Sequence, residues 1–268
     1  MTRIEANALR FDGLAEVYDA NRPVPPVVLV DLLRRYAGVS RPALVVDLGC
    51  GTGLFSRQWI GRAEAVVGIE PSADMRRLAG EVTAGIPGGK CVSYRDGHSE
   101  ATGLDAGCAD IVVCSQSLHW MDPVPTFAEV GRILRSGGVF AAIDVDMTPS
   151  CGVAAEEAFM ALRRRARALE EKLRLSLVRR WDKAGHMERM VASGRFRFTR
   201  QVMAHHVEPG GGDRLVGLAL SMGGVASLLA HGVAESEFGL DALRREAAAM
   251  GPAPVPFHWS YVVRLGVK

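Results

Sequence analysis

The stretch Leu44-Val45-Val46-Asp47-Leu48-Gly49-Cys50-Gly51-Thr52-Gly53-Leu54-Phe55 constrains this chain more than any other. It opens with an apolar, β-branched run, the pattern of a strand buried on both faces. Glycines then fall at every second position, and the amphipathic run from Leu54 onward predicts a helix over 54–62. Strand, Gly-rich turn and helix make a phosphate- or nucleoside-binding corner in an open parallel sheet. Glycine lets the backbone turn sharply and admits a ligand closer than any Cβ would permit.

The spacing selects the ligand. A dinucleotide site wants G-x-G-x-x-G, with a diphosphate on the helix N-terminus. Here Leu54 stands where the last glycine of that fingerprint belongs. Asp47, two places before the first glycine, would repel a diphosphate but suits an ammonium group. A second carboxylate ends the next apolar run, Val66-Val67-Gly68-Ile69-Glu70, where a ribose diol can share it in a bidentate pair. A ligand with a cationic amino-acid end and a nucleoside end fits, and S-adenosylmethionine is such a molecule.

The segment V-V-D-L-G-C-G-T-G, followed by V-V-G-I-E-P-S, resembles the first two motifs of class I S-adenosylmethionine-dependent methyltransferases. The resemblance implies a cofactor held by Asp47, Gly49, Cys50, Gly51, Thr52, Gly53, Glu70, Pro71, Ser72 and Met75. Ser72 also reads as the N-cap of a helix over 72–83, with Asp74 in its first turn.

Composition narrows the class. The 268 residues suffice for one large α/β domain, and a net charge of +2 implies no polyanionic partner, neither RNA nor DNA. Five cysteines without a C-x-x-C pair favour neither a disulfide framework nor a zinc site, so no metal is expected. No signal sequence or apolar run of membrane-spanning length is read, which places the expected protein in the cytoplasm.

Before the first strand, residues 8–20 carry apolar positions at helical spacing, Asn21-Arg22-Pro23 breaks the pattern, and Pro25-Pro26 starts a second helix through Tyr36. This arrangement resembles small-molecule methyltransferases of the trans-aconitate methyltransferase type. The resemblance implies that Arg22 meets the methionine carboxylate, Tyr18 faces the reacting centre and Phe11 borders the substrate. Asp96-Gly97-His98-Ser99 resembles the family segment that lines the adenine, with His98 where many relatives carry an acid.

Asp110 to Cys114 reads as the fourth strand, delivering Ser115-Gln116-Ser117-Leu118-His119-Trp120-Met121-Asp122 at its C-terminal end, the edge where open parallel sheets bind ligands. S-L-H-W-M-D is similar to the signature of the same methyltransferase subset, implying cofactor contacts from Ser115 and Gln116. His119 is the general-base candidate, because an imidazole titrates near neutrality. Trp120 is expected to wall the substrate pocket.

A helix over 126–134, a Ser136-Gly137-Gly138 turn and a strand over 139–143 complete the core pattern, and Leu-Arg-Ser-Gly-Gly resembles the family's architectural corner. Residues 153–192 are charged and helical, much longer than the crossover the sheet needs. They resemble a lid over the substrate. One arginine of the 163–167 cluster is a candidate to clamp a carboxylate; a solvated helix face accounts for the rest. Strands are read over 196–207 and 257–265, and helices over 215–230 and 237–250. Ser221 and Met222, beside a glycine pair that interrupts the first of these helices, are candidate pocket residues. His205 and His206 point to opposite faces of a strand and cannot share a metal.

The expected fold is α/β: a Rossmann-like, seven-stranded, mostly parallel sheet with an antiparallel last strand. It is expected as a single domain over 1–268, with N-terminal cap helices in 1–40 and a helical lid insertion over 150–192. The expected activity is methyl transfer from S-adenosylmethionine to a small-molecule acceptor, oxygen first, by in-line displacement. N- or C-methylation, a macromolecular RNA substrate and a silent cofactor-binding protein are the alternatives. A nicotinamide oxidoreductase is opposed by Asp47 and Leu54. Acceptor identity and oligomeric state are left open.

Overall fold

The computed structural model describes residues 13–175 and 180–268. In chain order the helices are α1 (Ala15–Asn21), α2 (Val27–Ala37), α3 (Ala73–Ala84), α4 (Pro123–Ile133), α5 (Val153–Lys172), α6 (His186–Ala192), α7 (Gly212–Leu220), α8 (Gly223–Ala230), α9 (Glu235–Phe238) and α10 (Leu240–Ala249). The strands are β1 (Leu44–Leu48), β2 (Ala65–Ile69), β3 (Val92–Arg95), β4 (Ala109–Ser115), β5 (Leu134–Val145), β6 (Phe198–Gly210) and β7 (Val255–Val267).

These strands form one seven-stranded sheet in the order β3-β2-β1-β4-β5-β7-β6. β1 pairs in parallel with β2 and β4, β2 with β3, and β4 with β5, whereas β7 runs antiparallel to β5. The chain winds outward from β1 through β2 and β3, then returns to β1's other side as β4. That reversal puts the topological switch point between β1 and β4. In register, Asp47 lies opposite Gly68 on β2 and Val113 on β4. The C-terminal ends of these strands therefore converge.

Local sequence explains most element boundaries. The side chain of Ser72 accepts from the Met75 N–H at 3.4 Å and caps α3, as read from sequence. Asp122 caps α4 by accepting from the Val124 N–H at 3.1 Å, with Pro123 in the first turn. One expected helix is absent. Residues 54–62 form turns around a short 3-10 segment, Ser56–Trp59. Gly53 (φ +82°) and Gly61 (φ +73°) both take the left-handed conformation and interrupt helical geometry at either end of the run. Burial of Phe55 and Trp59 fixes the segment instead.

The chain divides into two compact units. The sheet unit comprises Val24–Val145, Arg179–Ala204 and Tyr261–Lys268. Its core fills with Val46, Leu48, Val67, Ile69, Val112, Phe127, Ile133 and Phe140, from strands and from α4. The helical unit comprises Met1–Pro23, Asp146–Val178 and His205–Ser260. Within it α5 packs on α8, α9 and α10, and α1 packs on α7. α5 belongs to the helical unit and α6 to the sheet unit. A Cβ at Gly217 would overlap the side chain of Asn21, so that glycine serves close packing of α7 on α1. Among the described residues no single helix is long and apolar enough to cross a membrane.

Candidate functional site

The corner after β1 is held from three directions. The backbone N–H groups of Gly49 and Cys50 donate to the Ile69 carbonyl at 2.8 and 3.2 Å, and the Ser117 hydroxyl donates to the Leu48 carbonyl at 2.6 Å. Gly49, Gly51 and Gly53 all have positive φ, but for different reasons. A Cβ on Gly49 would come within 2.7 Å of Ser117 Cβ, and one on Gly53 would collide with the Tyr94 hydroxyl. Nothing lies within 4 Å of a Cβ on Gly51. Two glycines are required by neighbours; the third faces open space, where a ligand can approach the backbone.

Two buried carboxylates stand beneath this loop. Glu70 accepts the Gly51 N–H on Oε2 and the Ser72 N–H on Oε1, each at 2.9 Å. Burial nevertheless raises its pKa above the usual carboxylate value. Asp47 accepts the Ser56 hydroxyl on Oδ2 at 2.7 Å, while Oδ1 is buried without a hydrogen-bond partner. Burial pushes its pKa up to about 7, with a further contribution from the charge of Glu70. An acceptor-only atom in this state is suited by a cation with N–H donors. The α-ammonium of S-adenosylmethionine is one, so the corner fits that cofactor.

The remaining predicted residues of this unit divide into exposed and occupied groups. His98 is half-buried and close enough to Glu70 to lower its pKa. The Ser99 hydroxyl bonds Thr126 at 2.8 Å, Met75 and Thr52 are buried, and Gly97 packs on Ile69. Pro71 is half-buried at the start of the α3 turn. Burial also raises the Cys50 thiol well above its ordinary pKa, the character of a small packing residue and not of a nucleophile. Ser115 ends β4, and Gln116 follows in the left-handed region at φ +57°. Its Nε2 donates to the Val145 carbonyl at 2.9 Å, and its Oε1 accepts from Lys183 at 2.5 Å. His119 and Trp120 lie in a short 3-10 segment, rings 4.6 Å apart, with the Arg180 guanidinium 4.6 Å over the indole.

Sequence reasoning missed the polar group beside His119. His119, Asp144 and His186 bring one potential ligand atom each within 4.8 Å of one another. Burial depresses the His186 pKa to about 4, so its ring is neutral. The visible cue was Asp144 itself, a charge inside the apolar run Val139–Val145. Its partners come from 180–264 and left no local signal. Ser56, partner of Asp47, and Tyr94, packed on Gly53, were likewise missed.

Tyr18, Arg22, Ser221 and Met222 belong to the helical unit. Arg22 donates Nε to the Ser221 hydroxyl at 2.8 Å and Nη2 to the Ser221 carbonyl at 2.9 Å, with its guanidinium 4.6 Å from the Tyr18 ring. Its third contact is the Met147 sulfur at 3.4 Å. All these partners are neutral, and burial lowers its pKa. Ser221 is fully buried, and its hydroxyl accepts from Arg22 and donates to the Leu218 carbonyl at 2.7 Å. Met222 is half-buried at the start of α8. Phe11 lies outside the described residues.

The sheet order, switch-point corner and paired carboxylates match the fold and corner of class I, S-adenosylmethionine-dependent methyltransferase domains. Residues 46–142 match the family model described as "Methyltransferase domain". An uncharacterised methyltransferase of Mycobacterium tuberculosis is 32% identical over 131 residues, 49% of this chain and 50% of that protein. A malonyl-[acyl-carrier protein] O-methyltransferase of Pectobacterium atrosepticum is 34% identical over 114 residues, 42% of this chain and 41% of that protein. The chain thus spans about half the length of the curated relatives it matches. A solved structure assigned as a type II methyltransferase from Anaeromyxobacter dehalogenans superposes with a TM-score of 0.67 at 21% identity, covering 92% of this chain and 97% of that one. That likeness extends the fold beyond the matched segment.

Proposed function

We propose that this protein transfers the sulfonium methyl of S-adenosylmethionine to a small-molecule acceptor, with oxygen as the receiving atom. The observation that carries the reading is the buried Oδ1 of Asp47, without a hydrogen-bond partner at the end of the strand that leads into the glycine loop. Asp47 holds the ammonium end, Glu70 the ribose, and the Gly97-His98-Ser99 backbone borders the base.

The cofactor, when bound, supplies an activated methyl group on sulfur. The protein's own contribution is positioning: holding acceptor and cofactor in line while excluding water recovers about 7–11 kcal/mol of a barrier in well-oriented systems. Charge is neutralised as the methyl moves, so an aromatic wall such as Trp120 suits the site. A hydroxyl acceptor needs a base, for which His119 stands at the C-terminal end of β4; a carboxylate needs none. The similarity to a malonyl-[acyl-carrier protein] O-methyltransferase supports oxygen over nitrogen or carbon.

Incubation with methyl-labelled cofactor and a panel of carboxylic acids, phenols and amines tests the reading. A labelled methyl ester or ether is expected. Exclusive labelling of amines would overturn the choice of oxygen, and failure to bind S-adenosylhomocysteine would overturn the whole.

A further inference from the structure

Asp47 presents one carboxylate oxygen and commits the other. Oδ1 is buried without a hydrogen-bond partner, whereas Oδ2 accepts the Ser56 hydroxyl at 2.7 Å. Asp47 is 1% exposed and Ser56 is fully buried. Among the described residues no arginine or lysine pairs with Asp47, and its side-chain donor is the serine.

That bond settles where Oδ1 points. The last torsion of an aspartate side chain is soft, with a broad two-fold profile. A carboxylate is planar, so once the strand holds Cβ and a donor holds Oδ2, the direction of Oδ1 follows. β1 supplies the first restraint, pairing Asp47 in register with Gly68 and Val113 on either side. Ser56, beyond the glycine turn in the chain, supplies the second.

Ser56 is itself held in place. It opens the 3-10 segment Ser56–Trp59, next to Phe55, and the buried rings of Phe55 and Trp59 meet edge-on with centroids 6.0 Å apart. Serine near a helix start commonly spends its hydroxyl on nearby backbone. Here the hydroxyl reaches nine residues back along the chain. The short segment that replaces the expected helix thus turns Ser56 toward Asp47.

Charge gives the pair a second consequence. An ionised carboxylate only accepts, so the hydroxyl donates, and that bond favours the ionised form. Burial and the charge of Glu70 oppose ionisation of Asp47, and the Ser56 hydroxyl and backbone counter them. The other titratable groups that Asp47 influences are Cys50 in the glycine loop, Tyr94 on β3 and Cys114 on β4. All three have raised pKa values and are neutral near pH 7.

We propose that Ser56 is a positioning residue for the cofactor: its hydroxyl aims Oδ1 of Asp47 at the ammonium end and keeps the carboxylate charged to receive it. The inference rests on the methyltransferase reading and adds to that site a residue outside the motifs that carry the resemblance.

The test is calorimetric titration of the full chain from pH 6 to 9 with S-adenosylhomocysteine and with methylthioadenosine, which has the nucleoside and thioether but no amino-acid end. Ser56→Ala is expected to weaken S-adenosylhomocysteine about tenfold at pH 7 and to leave methylthioadenosine affinity unchanged, which also reports an intact fold. The pH midpoint of S-adenosylhomocysteine binding is expected to move up by about one unit. Ser56→Cys fills the same space with a weak donor and is expected to behave as Ser56→Ala does. In an Asp47→Asn background Ser56→Ala should change nothing further, because the serine acts through that carboxylate. In the ligand-free protein, 13C spectra should show the Asp47 carboxyl titrating higher in Ser56→Ala than in the parent. An unmoved carboxyl titration overturns the inference, as does equal weakening of both ligands or an undiminished Ser56→Ala effect in the Asp47→Asn background. A parent that binds no S-adenosylhomocysteine strikes the methyltransferase reading; a parent and a Ser56→Ala protein that bind it equally well strike this inference alone.

Discussion

The carboxylate of Glu70 accepts the backbone N–H of Gly51 at 2.9 Å, tying the end of β2 to the glycine loop after β1. Its other oxygen takes the Ser72 N–H at the head of α3. One side chain therefore fixes the loop, the helix start and the proposed ribose site together. Glu70→Gln leaves a single acceptor oxygen and turns an NH2 toward a backbone N–H. We expect a stability loss of about 1–3 kcal/mol, the cost of a buried unsatisfied group, read by urea unfolding. S-adenosylhomocysteine affinity is expected to fall more than tenfold. An unchanged urea midpoint would contradict the dual role.

The three loop glycines separate folding from binding. Gly53→Ala sets a Cβ against the Tyr94 hydroxyl at φ +82° and is expected to destabilise the fold, lowering the thermal midpoint by several degrees. Gly51→Ala meets no neighbour and carries only the left-handed strain of φ +56°, about 1 kcal/mol. The folded protein should survive that change and lose cofactor affinity, because the new Cβ fills the open space. Differential scanning fluorimetry with and without S-adenosylhomocysteine distinguishes them: a ligand-induced shift retained in Gly51→Ala would contradict the placement.

Asp47 gives a pH dependence opposite to that of an ordinary surface carboxylate. Its folded pKa, raised to about 7 by burial, lies above the unfolded value of 3.8. The folded state thus binds more protons between those values, and the stability this group contributes is lost as pH rises through about 7. The full span corresponds to about 4 kcal/mol in the ligand-free protein. Asp47→Asn should flatten the stability profile over that window. Cofactor binding runs the other way: the ammonium wants the carboxylate ionised, so affinity should fall up to about tenfold per pH unit below 7. Calorimetry of S-adenosylhomocysteine from pH 6 to 8 checks the sign, and a flat profile would remove the ammonium from Asp47.

Much of the sheet was legible because buried parallel strands write continuous apolar runs, and the glycine spacing marked the corner at Asp47 and Gly51. The 3-10 segment after it was not. Amphipathic spacing from Leu54 to Ile60 reads as a helix, and only the left-handed backbone at Gly53 and Gly61 rules one out. Long-range pairings left no trace either. Lys183 and Gln116 are 67 residues apart, Arg264 and Asp144 are 120 apart, and a lysine on a polar stretch looks like any solvated charge. Packing of α5 on α10 joins helices far apart in the chain, which local periodicity cannot report.

His186 supplies an acid-side prediction that complements Asp47. Burial and the neighbouring cations hold its folded pKa at about 4 against an ordinary 6.5, so the unfolded chain binds the extra proton first. The stability associated with keeping this ring neutral is complete above 6.5 and is lost as pH falls toward 4, by at most about 3 kcal/mol. Replacing it with glutamine removes the titrating group while keeping an N–H donor. The His186→Gln protein should therefore lose less stability than the parent between pH 6.5 and 4, whatever its absolute stability at pH 7. Guanidinium unfolding at half-unit pH steps measures the two slopes, and long-range 1H–15N correlation spectra of the parent should show the His186 proton on Nε2 throughout. Parallel slopes, or a proton found on Nδ1, would mean that the Arg189 guanidinium, 2.8 Å from Nδ1, does not fix this ring by donating to it.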